Sequence, residues 1–341
     1  MTLPPARDTL PTSPMTPDPA AVLQDALAET RTRVRSPQFH KEYRLFLDRP
    51  AAISIVLDEV RYVLGLAPRG AAALLDVGCG YGLFTLAYSL LLPGRVVGID
   101  WAHAKIADGR VLAASLAPQV RPRIVQGDAM RLPFRSSSLD VAVVRESISH
   151  IPEVEPLLEE IRRTLRPGGT VFIKDFNNEA CLLEKNRLLR LWNEAEWRGT
   201  ADAAAYVEAR LGLLKREFPS ESPDRLRWVA RRTRGLYGAR LRDASAQLFR
   251  DGRTDIEPAF HCRCPYTGYA LERPFSPARL TSHLRRLGFS VRVLPPRHFR
   301  PHESGWKRNL ARLLDSCVET LYPLTSPVTS LIQILALKRG T

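Results

Sequence analysis

The chain has 341 residues, enough to bury a sizeable hydrophobic core as one large domain or as a domain with an appendage. Its formal net charge of +14 suits a nucleic acid or a membrane surface as partner, and a solvated basic face explains the same charge equally well. The five cysteines, an odd number without a disulfide spacing, argue against an oxidising compartment and favour a reducing cytoplasm.

The first part of the chain is predicted to be a tail followed by helices. Residues 1–19 contain six prolines and are expected to be disordered, and they lack the apolar region of a signal peptide. Residues 20–69 show helical spacing from Ala20 and again from about Pro50 to Leu64. These helices are expected to pack outside a sheet, either as a lid on a ligand site or as cover for a sheet edge.

The stretch from Leu74 to Phe84 combines a short apolar run, three alternating glycines and the start of an apolar helix. A strand, a glycine turn and a helix form the first half of a nucleotide-binding unit, in which the helix directs unpaired N–H groups at a ligand. The next apolar run ends in Asp100, whose carboxylate can accept hydrogen bonds from both ribose hydroxyls, so a dinucleotide remains possible. The Gly-x-Gly-x-Gly spacing argues against a pyrophosphate, and Asp76 ahead of it favours a ligand with an ammonium group.

Strands and helices alternate through the central part of the chain. Such alternation predicts a doubly wound, mostly parallel α/β sheet with helices on both faces and a ligand outside the carboxyl ends of the strands. The predicted strands are 72–77, 95–99, 123–126, 139–144, 170–174 and 290–294, and the predicted helices of the core are 83–92, 102–117 and 153–165.

Five motifs follow one another in the order Asp76-x-Gly78-x-Gly80-x-Gly82, Asp100, Gly127-Asp128-Ala129-x-x-Leu132-Pro133-Phe134, Leu139-Asp140-Val141-Ala142-Val143 and Leu165-Arg166-Pro167-Gly168-Gly169. On these motifs the chain resembles class I S-adenosylmethionine-dependent methyltransferases, and within them the ubiquinone/menaquinone-biosynthesis-like branch that acts on small molecules. The resemblance covers about residues 70–178 and resumes near 270–295. It implies a Rossmann-like sheet of seven strands, with strand 7 at Leu331 to Leu337, antiparallel at the sheet edge.

The resemblance also implies S-adenosylmethionine as cofactor and assigns its contacts. The methionine part falls to Asp76, Gly78, Gly80 and Gly82, the ribose to Asp100, the adenine to Trp101, Asp128 and Ala129, and a further cofactor contact to Arg145. Three of these positions have a plainer interpretation. Asp128 also suits a turn after Gly127, Trp101 also suits the core, and Arg145 also suits an internal ion pair with Glu146.

His150 follows strand 4, where the family places residues that face the transferred methyl group. It is the only group there with an ordinary pKa near neutral, so it can accept a proton from a hydroxyl nucleophile. The alternative is that His150 only caps or packs the following helix.

Residues 179–269 depart from the family pattern and are predicted to form a helical insertion. An insertion at this point of the sheet is expected to cap the acceptor site, with a dimer contact as the alternative. The piece from Cys262 to Tyr269 is interpreted as a flap. His261, Cys262 and Cys264 have no second ligand pair at a zinc-site spacing, so no metal is predicted.

Residues 270–341 are predicted to complete the core. The segment 279–312 holds nine arginines and lysines against one acid, Glu303, and residues 306–321 form an apolar stripe that suits either the core or an anionic bilayer. The stretch from Thr320 to Leu337 carries no charge, but Pro323 and Pro327 interrupt it, so a soluble strand is favoured over a membrane span.

The sequence therefore predicts a cytoplasmic methyltransferase. Peripheral contact with an anionic membrane, through the apolar stripe and the basic segment 279–312, is a possible further property, and so is a homodimer. The expected acceptor is a small or lipid-like metabolite, methylated on oxygen or carbon. The alternatives are an RNA methyltransferase, motivated by the charge, and a non-catalytic protein that binds the cofactor or a membrane surface.

Overall fold

The computed structural model describes residues 18–177, 181–199, 205–259, 263–266, 268, 272, 277–295 and 331–340. Several predicted features lie outside these residues: the tail up to residue 17, most of the flap, His261 and Cys262, the apolar stripe 306–321 and the basic cluster beyond residue 295.

The described residues form seven strands and twelve α-helices. The strands are β1 (Ala73–Val77), β2 (Arg95–Asp100), β3 (Arg123–Gln126), β4 (Leu139–Arg145), β5 (Leu165–Phe176), β6 (Phe289–Leu294) and β7 (Leu331–Lys338). The helices are α1 (Pro19–Arg33), α2 (Pro37–Glu42), α3 (Arg44–Asp48), α4 (Ile53–Gly65), α5 (Leu83–Leu91), α6 (His103–Ala114), α7 (Val154–Thr164), α8 (Leu182–Trp197), α9 (Tyr206–Glu217), α10 (Pro223–Arg232), α11 (Gly238–Asp251) and α12 (Pro277–Arg286).

The strands form one sheet in the order β3-β2-β1-β4-β5-β7-β6. Strands β1 to β5 pair in parallel, and β7 runs antiparallel to both of its neighbours, β5 and β6. The predicted α/β class, a doubly wound and mostly parallel seven-stranded sheet, is therefore confirmed. The parallel strands bring the ends of β1, β2 and β4 to one edge, where such sheets bind ligands.

The predicted position of strand 7 at the sheet edge is wrong, because β7 lies between β5 and β6 and β6 is the outermost strand. The burial of the side chains agrees with this strand order. Ile332, Gln333 and Ile334 are fully or almost fully buried, since β7 has neighbours on both sides. The edge strand β6 instead carries the exposed residues Ser290 and Arg292, and a charged side chain on an edge discourages pairing with another chain.

Helices cover both faces of the sheet. On one face α1, α4, α5 and α6 share a core with β1, represented by Leu23, Val56, Leu86, Leu112 and Leu74. The N-terminal helices are thus part of the main core and do more than cover an edge. On the other face α7 and α12 pack through the buried residues Leu157, Leu158, Ile161, Leu280 and Leu284.

Helices α8 to α11 follow β5, in the segment that was predicted to be a helical insertion. Leu214, Val229 and Leu248 bring α9, α10 and α11 together in a small core of their own. A fully buried ion pair joins Arg210 on α9 to Glu196 on α8. In the described part of the chain, no helix is both long and apolar enough to cross a membrane.

Candidate active site

A cavity of about 330 Å3 lies at the carboxyl ends of the parallel strands. It is bounded by the loops that follow β1, β2, β3 and β4. Its lining consists of Gly78, Gly80, Ile99, Asp100, Trp101, Ala102, Lys105, Gly127, Ala129, Glu146, Ser147, His150 and Ile151. Six predicted site residues therefore meet in one cavity: Gly78, Gly80, Asp100, Trp101, Ala129 and His150.

The glycine loop needs its glycines at two positions for different reasons. Gly78 has a φ of +72°, and a Cβ there would lie 2.4 Å from the Cβ of Ser147, so a larger residue is excluded by both conformation and space. Gly80 has a φ of +56°, and a Cβ on it would meet no atom closer than 4.0 Å. Gly80 therefore leaves open space at the cavity wall, into which a ligand can approach the backbone.

Asp100 holds the loop in place from the end of β2. Its Oδ2 accepts a hydrogen bond from the Gly80 N–H at 2.9 Å, and its Oδ1 accepts one from the Ala102 N–H at 2.9 Å. Each carboxylate oxygen has a second lone pair. The fixed carboxylate can therefore accept hydrogen bonds from a pair of adjacent hydroxyls in the cavity.

Trp101 and Lys105 flank Asp100. The Trp101 side chain is 43% exposed, so it offers an aromatic surface at the cavity rim and is not a core residue. Lys105 donates to both carboxylate oxygens of Glu42 on α2, at 2.8 and 3.1 Å. The lining thus connects to the N-terminal helices, and the Tyr43 hydroxyl accepts a hydrogen bond from the Leu83 N–H at the start of α5.

Four predicted cofactor residues lie outside the cavity lining: Asp76, Gly82, Asp128 and Arg145. Gly82 caps α5 with a φ of +86°. Asp128 is exposed, and its Oδ1 accepts from the Met130 N–H at 2.9 Å, which is the plainer turn interpretation given above. The predicted cofactor residues thus fall into two groups: those that line the cavity and those that lie behind or beside the lining residues.

Asp76 lies beneath the glycine loop. Its side chain faces α5, is only 3% exposed, and accepts a hydrogen bond from the Thr85 hydroxyl at 2.6 Å. Burial raises the pKa of Asp76 from 3.8 to about 6, against the lowering effects of the Thr85 hydrogen bond and of Arg145. A cationic group near the loop would favour the charged carboxylate.

We predict that Asp76→Asn changes how stability depends on pH. Since the pKa of Asp76 is higher in the folded chain, the folded state keeps a proton that the unfolded chain loses, and stability falls as the pH rises from about 4 to about 6. The variant lacks this loss, so urea unfolding of the cofactor-free protein should show it gaining roughly 2–3 kcal/mol on the wild type between pH 4 and pH 7. A constant difference between the two proteins across this range would contradict the assignment.

Arg145 and Glu146 form the ion pair that the sequence left open. Arg145 Nη1 lies 2.9 Å from Glu146 Oε1, and the guanidinium carbon lies 3.6 Å from the ring centroid of Phe84. Glu146 has a φ of +49°, a strained conformation for a non-glycine residue, and its side chain reaches the cavity. Arg145 therefore orients an acidic residue of the site from behind.

A second buried pair lies behind the site. Lys174 Nζ on β5 is 2.7 Å from Glu59 Oε2 on α4, and both side chains are less than a tenth exposed. Lys174 Nζ also lies 3.9 Å from Glu146 Oε1. The interaction links an N-terminal helix to the strand next to the site.

His150 lies in the turn after β4 and borders the cavity. The nearby Asp175 is fully buried and accepts hydrogen bonds from the N–H and the hydroxyl of Ser149, at 3.1 and 3.2 Å. Burial raises the pKa of Asp175 to about 6, and the Phe176 and Ser149 hydrogen bonds and the His150 charge oppose this rise. Asp175 thus fixes the turn that presents His150.

Sequence reasoning missed Lys105, Ser147 and Tyr43. Ser147 could be found only through its close approach to Gly78, where its hydroxyl donates to the Val77 carbonyl at 3.0 Å. The contacts of Lys105 and Tyr43 depend on how α2 and the residue that follows it pack against the core, and no local sequence motif predicts that packing.

Among the residues described, no group of three or more histidine, cysteine or acidic side chains is arranged to hold a metal ion.

The chain is similar in sequence to known methyltransferases. Residues 75–173 match the family described as a methyltransferase domain. Demethylmenaquinone methyltransferases of Staphylococcus aureus strains JH9 and Newman are each 34% identical to this chain over 113 residues, which are 33% of this chain and 46% of the relative. The chain thus spans about half the length of the curated relatives that it matches.

Solved structures give weaker likenesses. A methyltransferase of Methanosarcina mazei is 17% identical with a TM-score of 0.44, over 82% of this chain and 98% of that one. A possible histamine N-methyltransferase of Thermotoga maritima is 17% identical with a TM-score of 0.42, over 89% and 97%. The cyclase SpnF is 17% identical with a TM-score of 0.45, over 84% and 82%.

Proposed function

We propose, on the premise that this chain carries a class I S-adenosylmethionine-dependent methyltransferase domain, that it methylates a small or lipid-like metabolite on oxygen or carbon. The observation that carries the proposal is the single cavity shared by the glycine loop, Asp100 and His150. The glycine loop, the carboxylate and the imidazole therefore border one common space, as a methyl transfer between a cofactor and an acceptor requires.

The residues of the cavity fit S-adenosylmethionine. The open space at Gly80 admits a ligand against the backbone, and Asp100 presents two oriented carboxylate oxygens to the ribose hydroxyls. Trp101 and Ala129 border the cavity where the adenine is expected. Asp76 lies beneath the loop and does not line the cavity. Its negative charge therefore attracts an ammonium group of the cofactor electrostatically, without direct contact.

The bound cofactor supplies an electrophilic methyl group on a sulfonium. The protein's part is to align the acceptor with that methyl group, to exclude water and to remove a proton. His150 borders the cavity and is held by a turn that Asp175 fixes, so it is the group we assign as general base for a hydroxyl acceptor. Glu146, held by Arg145, adds negative charge beside it.

Two observations support a small or lipid-like acceptor. The first is that strand β5 ends at the sheet edge where the cavity lies, and the predicted insertion begins there with α8. Its Tyr237, just before α11, donates a hydrogen bond to Glu153 at 3.2 Å, in the loop after His150, so part of the insertion lies near the cavity. The second is that the relatives that are 34% identical to this chain over 113 residues are named for demethylmenaquinone, a compound with a quinone ring and an apolar tail. A quinone-like acceptor under a helical cap is the version of the proposal to test first.

The test follows radiolabelled methyl groups from S-adenosylmethionine into a reduced demethylnaphthoquinone with a short isoprenoid tail. We expect labelled product from the wild type. His150→Gln should lower kcat about a hundredfold or more while cofactor affinity changes less than about threefold, since proton transfer by a positioned side chain contributes about 10²–10⁴-fold.

His283→Gln on α12 is the matched control, because that histidine does not line the cavity and pairs with Arg286. It should leave both kcat and cofactor affinity unchanged. Unchanged turnover in His150→Gln would overturn the catalytic assignment. Failure of the wild type to label either this quinone or any lipid or metabolite in a cell extract would overturn the proposed activity.

A further inference from the structure

A second and larger cavity, of about 760 Å3, lies at the opposite edge of the sheet. Its lining includes the first residues of four strands: Ala73 of β1, Arg95 of β2, Arg123 of β3 and Leu139 of β4. Because the cofactor cavity lies at the carboxyl ends of the same strands, the two are separated by a strand length, about 15–20 Å. The second cavity is therefore not an extension of the candidate active site.

The charged residues that line this second cavity are all positive. Arg95, Arg121, Arg123 and Arg135 line it, and no aspartate or glutamate does. Elsewhere in the described chain arginines commonly face carboxylates, as Arg163 does with Glu160 and many others do. Within the part of the chain that the structure describes, the side chains of Arg95, Arg123 and Arg135 make no ion pair or hydrogen bond.

Arg121 is held differently from the other three. Its guanidinium donates to the carbonyls of Leu116 and Ala114 at the end of α6, at 2.8 to 3.2 Å. These carbonyls are neutral, so the positive charge of Arg121 is not neutralised. Its position at the cavity wall is fixed, which lowers the entropic cost of contacting an anion.

The floor of the cavity is apolar. Val96 and Leu139 are almost fully buried at its base, and Val97, Val120 and Phe134 are half-buried and so expose apolar surface to it. A cationic rim over an apolar floor favours a ligand with an anionic head and an apolar body, because inorganic anions gain nothing from the floor and neutral apolar molecules gain nothing from the rim. The volume is within the range of cavities that bind small molecules.

We propose that this cavity binds a small amphiphilic anion, with a phosphate or carboxylate head paired with Arg123 and Arg135 and an apolar body on the floor. The inference does not depend on the methyltransferase activity. A phosphate head can come from a free metabolite or from a lipid in a bilayer, and the chemistry recognised is the same in both cases.

The test uses calorimetry of the full chain with octyl phosphate below its micelle concentration, compared with inorganic phosphate and with octanol. We expect octyl phosphate to bind more tightly than either. Arg123→Ala combined with Arg135→Ala should weaken its binding about tenfold or more, since two charge-assisted hydrogen-bonding partners are lost.

The matched control is Lys215→Ala combined with Arg216→Ala, which removes the same charge from the exposed surface of α9 and should leave octyl phosphate binding unchanged. The midpoint of urea denaturation should be nearly the same in all three proteins, which shows that the fold is intact. Sedimentation with phosphatidic acid vesicles distinguishes the two sources of the anion. Co-sedimentation of the wild type but not of the double arginine variant identifies a lipid, and a wild type that stays in solution identifies a free metabolite.

Equal weakening of octyl phosphate binding in both double variants would overturn the proposal, because the effect would then come from net charge alone. Absence of octyl phosphate binding in the wild type would overturn it as well. So would binding of an RNA oligonucleotide that the two arginines control while octyl phosphate does not compete.

Discussion

Replacing Asp100 with asparagine is expected to weaken S-adenosylhomocysteine binding roughly thirty- to a thousandfold, or by about 2–4 kcal/mol. Asp100 acts twice, because its oxygens hold the N–H groups of Gly80 and Ala102 and also face the cavity. In the variant an amide NH2 must point at one of these N–H groups, which leaves two donors facing each other. The charge that strengthens hydrogen bonds to ribose hydroxyls is lost at the same time.

Calorimetric titration of the purified chain measures this effect. Asp251→Asn is a suitable control, since Asp251 is an exposed residue of α11 that pairs with Arg250. It should bind the ligand as the wild type does. An Asp100→Asn variant with an affinity within about threefold of the wild type would contradict the role assigned to this carboxylate.

The largest expected effect on stability comes from the buried pair behind the site. Lys174→Met should lower the free energy of unfolding by about 3–5 kcal/mol, because Glu59 then remains buried as a charge without its partner. Glu59 is 3% exposed, and its Oε1 already has no hydrogen-bond partner among the described residues. Glu59→Gln should cost less, since Glu146 still lies 3.9 Å from the Lys174 ammonium group.

Urea denaturation at neutral pH tests both variants and their combination. Glu59→Gln with Lys174→Met should be more stable than Lys174→Met alone, because no unpaired charge is left in the core. Glu29→Gln, which breaks a half-exposed pair with Arg33 on α1, should change stability by less than about 1 kcal/mol. If Lys174→Met has as small an effect as this surface substitution, the pair does not stabilise the fold.

Much of the fold could be predicted because the hydrophobic pattern is local. The strands β1 to β4 begin or end within one residue of their predicted bounds, since each is a short apolar run that stops at a polar or glycine residue. Strand β5 is longer than predicted: it begins at Leu165, where Leu139 of β4 pairs with it before the ladder shifts register. The order of β6 and β7 was predicted wrongly, although the sequence held a signal for it: β6 contains the charged Arg292, which suits an edge strand, and Leu331 to Leu337 carries no charge.

The site was predictable in part for a related reason. Gly78, Gly80 and Asp100 lie where the chain leaves a strand, and strand ends meet at one edge. Asp76 was expected to contact the ligand, yet side chains alternate along a strand, so Asp76 and Leu74 face α5 together. The contact of Asp76 with the cofactor stays a prediction, and the structure shows only that its side chain does not line the cavity.

Glu59 also left a signal in the sequence. It lies in a helix between Val56 and Val60, three residues after one buried position and one residue before another. A charged residue among buried positions requires a partner of opposite charge. Which partner it finds depends on the distant strand β5, and no local pattern gives that.

The central claim is that the cavity beside Gly80 and Asp100 holds the adenosyl sulfonium cofactor. Calorimetry of the wild-type chain with S-adenosylhomocysteine and, separately, with a nicotinamide dinucleotide tests it most directly. We predict saturable binding of one S-adenosylhomocysteine per chain and no heat from the dinucleotide. Heat from the dinucleotide, with none from S-adenosylhomocysteine, would contradict the account.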